Sequence, residues 1–262
     1  MDTVEIMTRE KSSYAVQTVE KALDILEALT EEGRPATLPY LAERLSLSRN
    51  KAFRLLATLE SKGLVERDEA SGIYRLGISS VELAQRLLNS TSIIKHAHPV
   101  MERLARKHDE AVYITVLKGD EILFVDMVDC EQVVKTAPLV GKRFPFFTNA
   151  AGKAIKALES ADFLDKLSPK RHRNLGIPDP AALQTELRAT RERGFAVDFG
   201  GLGDGIVTVA VAVRDYAGKV VGALTMLGPS FRMITSRLEN EIIPSLMEGA
   251  EILSMKFGYA KH

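Results

Sequence analysis

Apolar side chains recur at helical intervals at the start of the chain. Val16, Val19, Leu23, Leu26 and Leu29 mark a helix that should stop at Gly33-Arg34-Pro35, where Gly can cap and Pro cannot continue. A second, short helix is predicted after Thr37, with Leu41, Ala42 and Leu45 inward. Ser46-Leu47-Ser48 then turns the chain, and Ser48 suits an N-cap. In the third helix Ala52, Leu55, Leu56 and Leu59 fall at i, i+3, i+4 and i+7, which gives it one buried stripe. After Lys62-Gly63, LVERD and IYRLG alternate in strand fashion around Glu69-Ala70-Ser71-Gly72, a hairpin loop. Ile78, Val81, Ala84, Leu87 and Leu88 form one more helical stripe, which Ser79 or Ser80 can start.

Past Pro99 the pattern changes. Met101, Leu104 and Ala105 are followed by AVYITVL and EILFVDMV, which flank Lys118-Gly119-Asp120 and predict a hairpin, and VVKTA reads as a third strand. A helix is expected over 152–158. Asp179-Pro180 opens another, with a cap, Pro at the first helical position and Gly194 after the end. FAVDF, GIVTVAVAVR and VVGALTML read as strands, the last two joined around 215–219, before a closing helix with Leu238, Ile242, Leu246, Ala250 and Leu253 inward. Strands flanked by helices, mostly antiparallel, predict an α+β domain built on one sheet.

Charge enters because of where it sits. The 35 Lys plus Arg equal the 35 Asp plus Glu, so any electrostatic partner must be read by a local patch. Such a patch exists: Arg49, Asn50, Lys51 and Arg54 occupy the first two turns of the third helix, off its buried stripe. Three short helices followed by a two-stranded wing have the order of a winged helix-turn-helix, whose second motif helix enters the DNA major groove. On that reading Ser48, Arg49, Asn50, Lys51 and Arg54 meet duplex DNA, with Arg49 and Asn50 suited to bases and Lys51 and Arg54 to phosphates. Arg67 and Arg75 in the wing are candidates for the neighbouring backbone. The same face would also suit a solvated helix in a small bundle. The stripe from Ile78 to Leu88 belongs to neither core, so it invites a twin helix from a second subunit; a twofold dimer would read a pseudo-palindromic operator.

Other chemistry is thinly represented. The single cysteine, Cys130, excludes an intrachain disulfide and stands beside Asp129 and Glu131, a poor setting for a reactive thiol. No apolar run approaches the ~20 residues of a membrane span. The start MDTVEIMTREKSS mixes acids and bases without an apolar core, which leads us to expect a cytoplasmic protein. No GxSxG elbow or HExxH pair occurs, His96 and His98 diverge on a helix, and Asp126 and Asp129 read as solvated carboxylates, so no enzyme, metal site or cofactor is expected. In FPFFTNAAGKAI small residues lead into a helix whose N-terminal amides attract carboxylates; Phe147 and Ala154 rule out a Walker motif. GGLGDG at 200–205 precedes a strand where a dinucleotide fingerprint needs a helix, so it reads as a loop able to close over a ligand.

Taken in order, AVQTVEKALDILEAL, FRLLATLESKGLVERD, YRLG, FPFFTNAAGKAI, RERGFAVDFG and GALTMLGPSFR resemble the IclR family of bacterial transcriptional regulators over nearly the full length. The resemblance implies a flexible tail over 1–12, a winged helix-turn-helix over 13–77, a dimerising linker helix over 78–92 and a GAF-like α/β effector-binding domain over 93–262. It implies homodimers able to pair into dimers of dimers. Effector contacts carry over onto Asn149, onto Ala150 and Ala151 as backbone donors, and onto Asp198 and Thr225. Thr208 stands where many members have Cys, and Leu227 where small hydroxyl residues are common; Gly200 and Gly201 replace an acidic pair. With Phe144, Phe146 and Phe147 nearby, the expected effector is a carboxylate with an apolar or aromatic body more than a small 2-oxo acid. The rival expectation is a small-molecule sensor that acts through protein partners instead of DNA.

Overall fold

The computed structural model describes residues 16–31, 34–90, 92–159 and 176–260, with the backbone alone at 87–90 and 92. The expected tail at 1–12 and the expected capping residue Gly33 lie outside the described residues. The chain divides into two compact units between Leu88 and Asn89.

In the first unit, α1 (Gln17–Ala28), α2 (Leu38–Arg44) and α3 (Arg49–Ser61) enclose a core of Ile25, Leu41, Leu55, Leu56 and Leu59. Ser48 caps α3, its Oγ accepting the Lys51 N–H at 3.3 Å. The strands β1 (Val65–Arg67) and β2 (Tyr74–Leu76) pair antiparallel, Val65 opposite Leu76, and add Val65 and Tyr74 to the core. An unexpected third pairing braces the wing: Thr37 bridges Ile73, and the Tyr74 N–H donates to the Ala36 carbonyl at 2.9 Å. The linker helix α4 (Ile78–Ser90) begins just before the two serines. Ser80 Oγ donates to the Leu64 carbonyl at 2.7 Å and ties the helix to the hairpin base.

The stripe expected on α1 needs correction. Val16, Val19 and Leu23 are more than half exposed, and Ile25 and Ala28 face the core instead. Apolar residues surround most of this helix, and a three-helix core covers only one side of it. On α4, Ile78 and Val81 are likewise exposed.

The second unit is a six-stranded antiparallel sheet in the order β5-β4-β3-β8-β7-β6. It opens with α5 (Ser92–His108), which is unbroken at Pro99. Losing one backbone bond there is offset by burial of Ala97, Val100, Met101 and Leu104 along one face. β3 (Ala111–Lys118) and β4 (Glu121–Val128) form the expected hairpin. VVKTA, however, is no strand: Val133 is 97% exposed, and β5 (Arg143–Pro145) takes the place beside β4. Strand-forming side chains do not make a strand where no neighbour offers a ladder. There follow a 3₁₀ turn (Phe146–Thr148), α6 (Ala150–Glu159) and α7 (Pro180–Arg193), then β6 (Ala196–Phe199), β7 (Ile206–Arg214) and β8 (Val220–Pro229). A π-helical turn (Leu238–Ile242) leads into α8 (Ile243–Lys256), next to Pro244, which has no N–H to donate.

Alternation along the strands gives the sheet two unlike faces. Val112, Ile114, Val207, Val209, Leu224 and Met226 pack against α5 and α8. Ala111, Tyr113, Ala196, Ala210, Ala223 and Leu227 lie under α6 and α7. Where β8 ends, Glu110, 1% exposed, receives two bonds of 2.8 Å from Arg232 and one of 2.9 Å from Arg237. At the start of α7, Asp179 Oδ1 accepts from Ala181 and Ala182 N–H at 3.0 Å each. Replacing Asp179 by Ala should lower stability to urea by about 1 kcal/mol, and Asp179→Asn should retain most of it.

Candidate nucleic-acid interface and effector site

On α3 the buried positions fix what faces outward. At 3.6 residues per turn, Asn50, Arg54 and Ala57 point directly away from Ala52, Leu55, Leu56 and Leu59. Arg49 and Phe53 flank them on one side, Lys51 and Thr58 on the other. Lys51 and Arg54 share a shallow groove with Ser48, Asn50 and Thr18 of α1. Phe53, 49% exposed, lines a hollow with Pro39, Arg67 and Tyr74 on the wing side. Among the described residues Arg49, Lys51 and Arg54 make no ion pair, whereas Arg75 is 3.5 Å from Glu66 and Arg44 is held by Glu31. These three cations are therefore available to an external anion.

The wing arginines do not share a surface. Arg67 stands opposite Tyr74 and Arg75 opposite Glu66, and neighbouring strand positions face opposite ways. Arg67 lies over the Tyr74 ring, 5.7 Å from its centroid, on the α3 side. Arg75 points to the outer face.

Across the α6-covered face of the sheet, register gathers most of the expected effector residues. Asp198, Thr208 and Leu227 stand opposite one another in one row, and Thr225 is two residues along β8 from Leu227. The start of α6 sits on this row: the Ala150 N–H donates to Thr208 Oγ1 at 3.3 Å. Asn149 acts as the cap of α6, Oδ1 accepting from the Gly152 N–H at 3.1 Å. Gly152 is obligatory here, since a Cβ would lie 2.0 Å from the Phe146 carbonyl oxygen. Ala151 lies in the first turn of α6, where a helix leaves its amides without intrahelical acceptors.

Asp198 is already engaged. Oδ2 accepts from Lys153 Nζ at 2.6 Å and Oδ1 from the Gly201 N–H at 2.9 Å. Lys153 also meets Glu186 at 3.0 Å. Burial, the largest influence, works against its charge, but Asp198 and then Glu186 outweigh it and hold its pKa above the usual lysine value. The loop at 200–205 is a tight connection between β6 and β7, with Gly203 N–H donating to the Gly200 carbonyl and Ile206 N–H to that of Gly203. Gly201 is packed so closely that a Cβ would lie 1.7 Å from the Thr148 carbonyl oxygen.

Sequence reasoning missed Tyr113, Lys153 and Phe53. Tyr113 was hidden in an apolar strand, although its period-2 position marks it as inward; its hydroxyl is buried beside the Leu139 amide, and Thr225 Oγ1 is buried without a partner among the described residues. Burial pushes the phenol up to about 12, opposed by the nearby Leu139 amide. Elsewhere, His98 Nδ1 lies 2.8 Å from Asp126, Lys135 holds Asp129, and Cys130 is buried. No group of three or more His, Cys, Asp or Glu able to hold a metal occurs among the described residues. No described helix is long and apolar enough to cross a membrane.

A winged helix-turn-helix followed by an α/β domain with an antiparallel sheet defines a two-domain regulator architecture. The model of the IclR helix-turn-helix domain matches residues 18–69, and that of the bacterial transcriptional regulator IclR C-terminal domain matches residues 85–255. The chain belongs to the IclR family of bacterial transcriptional regulators. It is similar to the HTH-type transcriptional regulator KdgR of Escherichia coli, 29% identical over 95% of this chain and 96% of the relative. Among solved structures, an IclR transcriptional regulator from Alicyclobacillus acidocaldarius is 26% identical, covers 92% of this chain and 99% of its own, and has a TM-score of 0.78. An IclR homologue from Microbacterium hydrocarbonoxydans, complexed with 4-hydroxybenzoate, shares the fold at 21% identity and a TM-score of 0.73, over 92% of this chain and 99% of its own.

Proposed function

We propose that this transcriptional regulator binds operator DNA sequence-specifically through α3 and releases or grips it according to a carboxylate effector held between α6 and the sheet. The observation that carries the DNA reading is the set of unpaired cations around an outward Asn50. Asn50 and Arg54, outermost on α3, are placed for base edges; Arg49 and Lys51, on the flanks, for the two phosphate backbones. Arg67 faces the same side, while Arg75 is spent on Glu66. The exposed apolar faces of α1 and α4 support a homodimer that presents two copies of α3 to a pseudo-palindrome.

For the effector, the first-turn amides of α6, that of Ala151 among them, favour a carboxylate. Alanines and phenylalanines around it favour an apolar body, and the hydroxybenzoate complex of a protein with the same fold supports that choice. Asp198 then acts as a positioning residue, fixing Lys153 and the 200–205 loop. An effector works only through its differential affinity for the two DNA-binding states, so repressor and activator action share one chemistry.

Gel-shift titration against the DNA upstream of its own gene tests the reading. Saturable binding, weakened by salt and shifted by an aryl carboxylate such as benzoate, is expected. Salt-independent capture of proteins in place of DNA would favour the protein-partner alternative. A thermal-shift panel in which glyoxylate and pyruvate alone stabilise the protein would remove the apolar-body assignment.

A further inference from the structure

One large apolar side chain interrupts the polar outward face of α3. Phe53 is 49% exposed, whereas Arg49, Asn50 and Arg54 around it are cationic or polar. At 3.6 residues per turn it stands about 70° from the direction straight away from the buried stripe, against about 110° for Arg49 and about 90° for Lys51. The ring is therefore nearer the centre of the face than either flanking cation. Its neighbours at i−3 and i+4 are Asn50 and Ala57, and the methyl group of Ala57 is too small to cover it. Its inner side lines the hollow shared with Pro39, Arg67 and Tyr74, which leaves the outer half of the ring bare. A single exposed apolar residue is ordinary on a protein surface. This one stands between Arg49 and Asn50 and the rest of the face proposed above to enter the major groove, so it meets what they meet.

Inside that groove the ring would face one of three kinds of group. Phosphate oxygens and the polar edges of bases lose water against a ring without gaining a hydrogen bond, which is unfavourable. The C5-methyl of thymine is the apolar exception, and it gains by losing water there. We infer that Phe53 is a specificity-determining residue, the outer half of its ring seated on a thymine methyl in each half-site of the operator, next to the base pairs met by Asn50 and Arg54. The inference rests on the DNA reading proposed above. It adds to that reading a base identity, a pyrimidine selected by its methyl group and not by its hydrogen-bonding edge.

Footprinting the full chain on the DNA upstream of its own gene defines the operator. Duplexes with deoxyuridine at one thymine of each half-site at a time then remove single methyl groups and leave base pairing unchanged. Gel-shift titration should show, for one symmetric pair of thymines, a loss of roughly fourfold per half-site, the contribution of one buried methylene-sized group, and so roughly fifteenfold for the pair. Phe53→Ala should bind the thymine and deoxyuridine duplexes equally, with the wild-type salt slope, because no phosphate contact is lost. Phe53→Leu, which keeps an apolar surface, should retain part of the discrimination. A flat deoxyuridine scan with the wild-type protein overturns the inference and depends on no variant. So does a Phe53→Ala protein that keeps full discrimination at the same thymines. In either case a loss of operator binding by Arg54→Ala shows that α3 still lies in the groove. If no duplex is bound saturably, the assignment of α3 is itself wrong, and the role of Phe53 goes with it.

Discussion

Operator DNA should bind an Arg54→Ala variant roughly ten- to a hundredfold more weakly, with lost preference between operator and scrambled duplex. A bidentate arginine contact to a base is worth about 1–3 kcal/mol of discrimination, and Arg54 is fully outward on α3 with no ion pair among the described residues to compete for it. Lys51→Ala should behave differently. It lies on the flank of the same helix, so its removal should weaken all sequences alike and lower the salt slope by about one per subunit. The pair of variants, titrated on both duplexes at several salt concentrations, separates base reading from phosphate binding. Unchanged affinity and an unchanged slope for both would mean that α3 does not face the duplex.

The largest stability change should come from Glu110. Glu110→Gln is expected to cost about 3 kcal/mol in urea unfolding, because removing one partner of a buried ion cluster strands the others. Arg232 and Arg237 keep 15% and 23% of their side-chain surface in solvent, which places the cost at the lower end of the range for such losses. The same carboxylate organises backbone: Arg237 also reaches the His108 carbonyl, and Arg232 donates to the Val134 carbonyl at 2.7 Å. Combining Glu110→Gln with Arg232→Met should recover part of the loss, since the uncompensated charge then goes too. Unfolding at wild-type urea concentration for Glu110→Gln would show the cluster to be energetically idle.

How much of this was legible beforehand depended on whether a local pattern had one solution. The α3 stripe, the Ser48 cap, the Asp179-Pro180 entry to α7 and the strands β7 and β8 each read correctly, because α3 is apolar on one face, the two strands are continuous apolar runs buried on both, and caps are written in adjacent residues. On α1 the pattern had two solutions, and only the folded core chose Ile25 and Ala28 over Val19 and Leu23. VVKTA failed because a strand is defined by its neighbours. For the site, Asn149, Ala150, Thr208 and Asp198 come together, but their connections run through Lys153 and Gly201, contacts between residues far apart in sequence. The placement of side chains along α3 was recoverable earlier: projecting the stripe onto a helical wheel puts Arg54 beside Asn50 without any structure.

The alanine paving beneath α6 carries a design corollary. Because Ala111, Ala196, Ala210 and Ala223 contribute only methyl groups there, while valine, leucine and methionine secure the reverse side of the sheet, a larger side chain at any of them would fill the space under α6 without touching the opposite layer, at the cost of overpacking this one. The four positions are therefore the natural starting library for retargeting the proposed effector site, each enlargement weighed against the stability it costs.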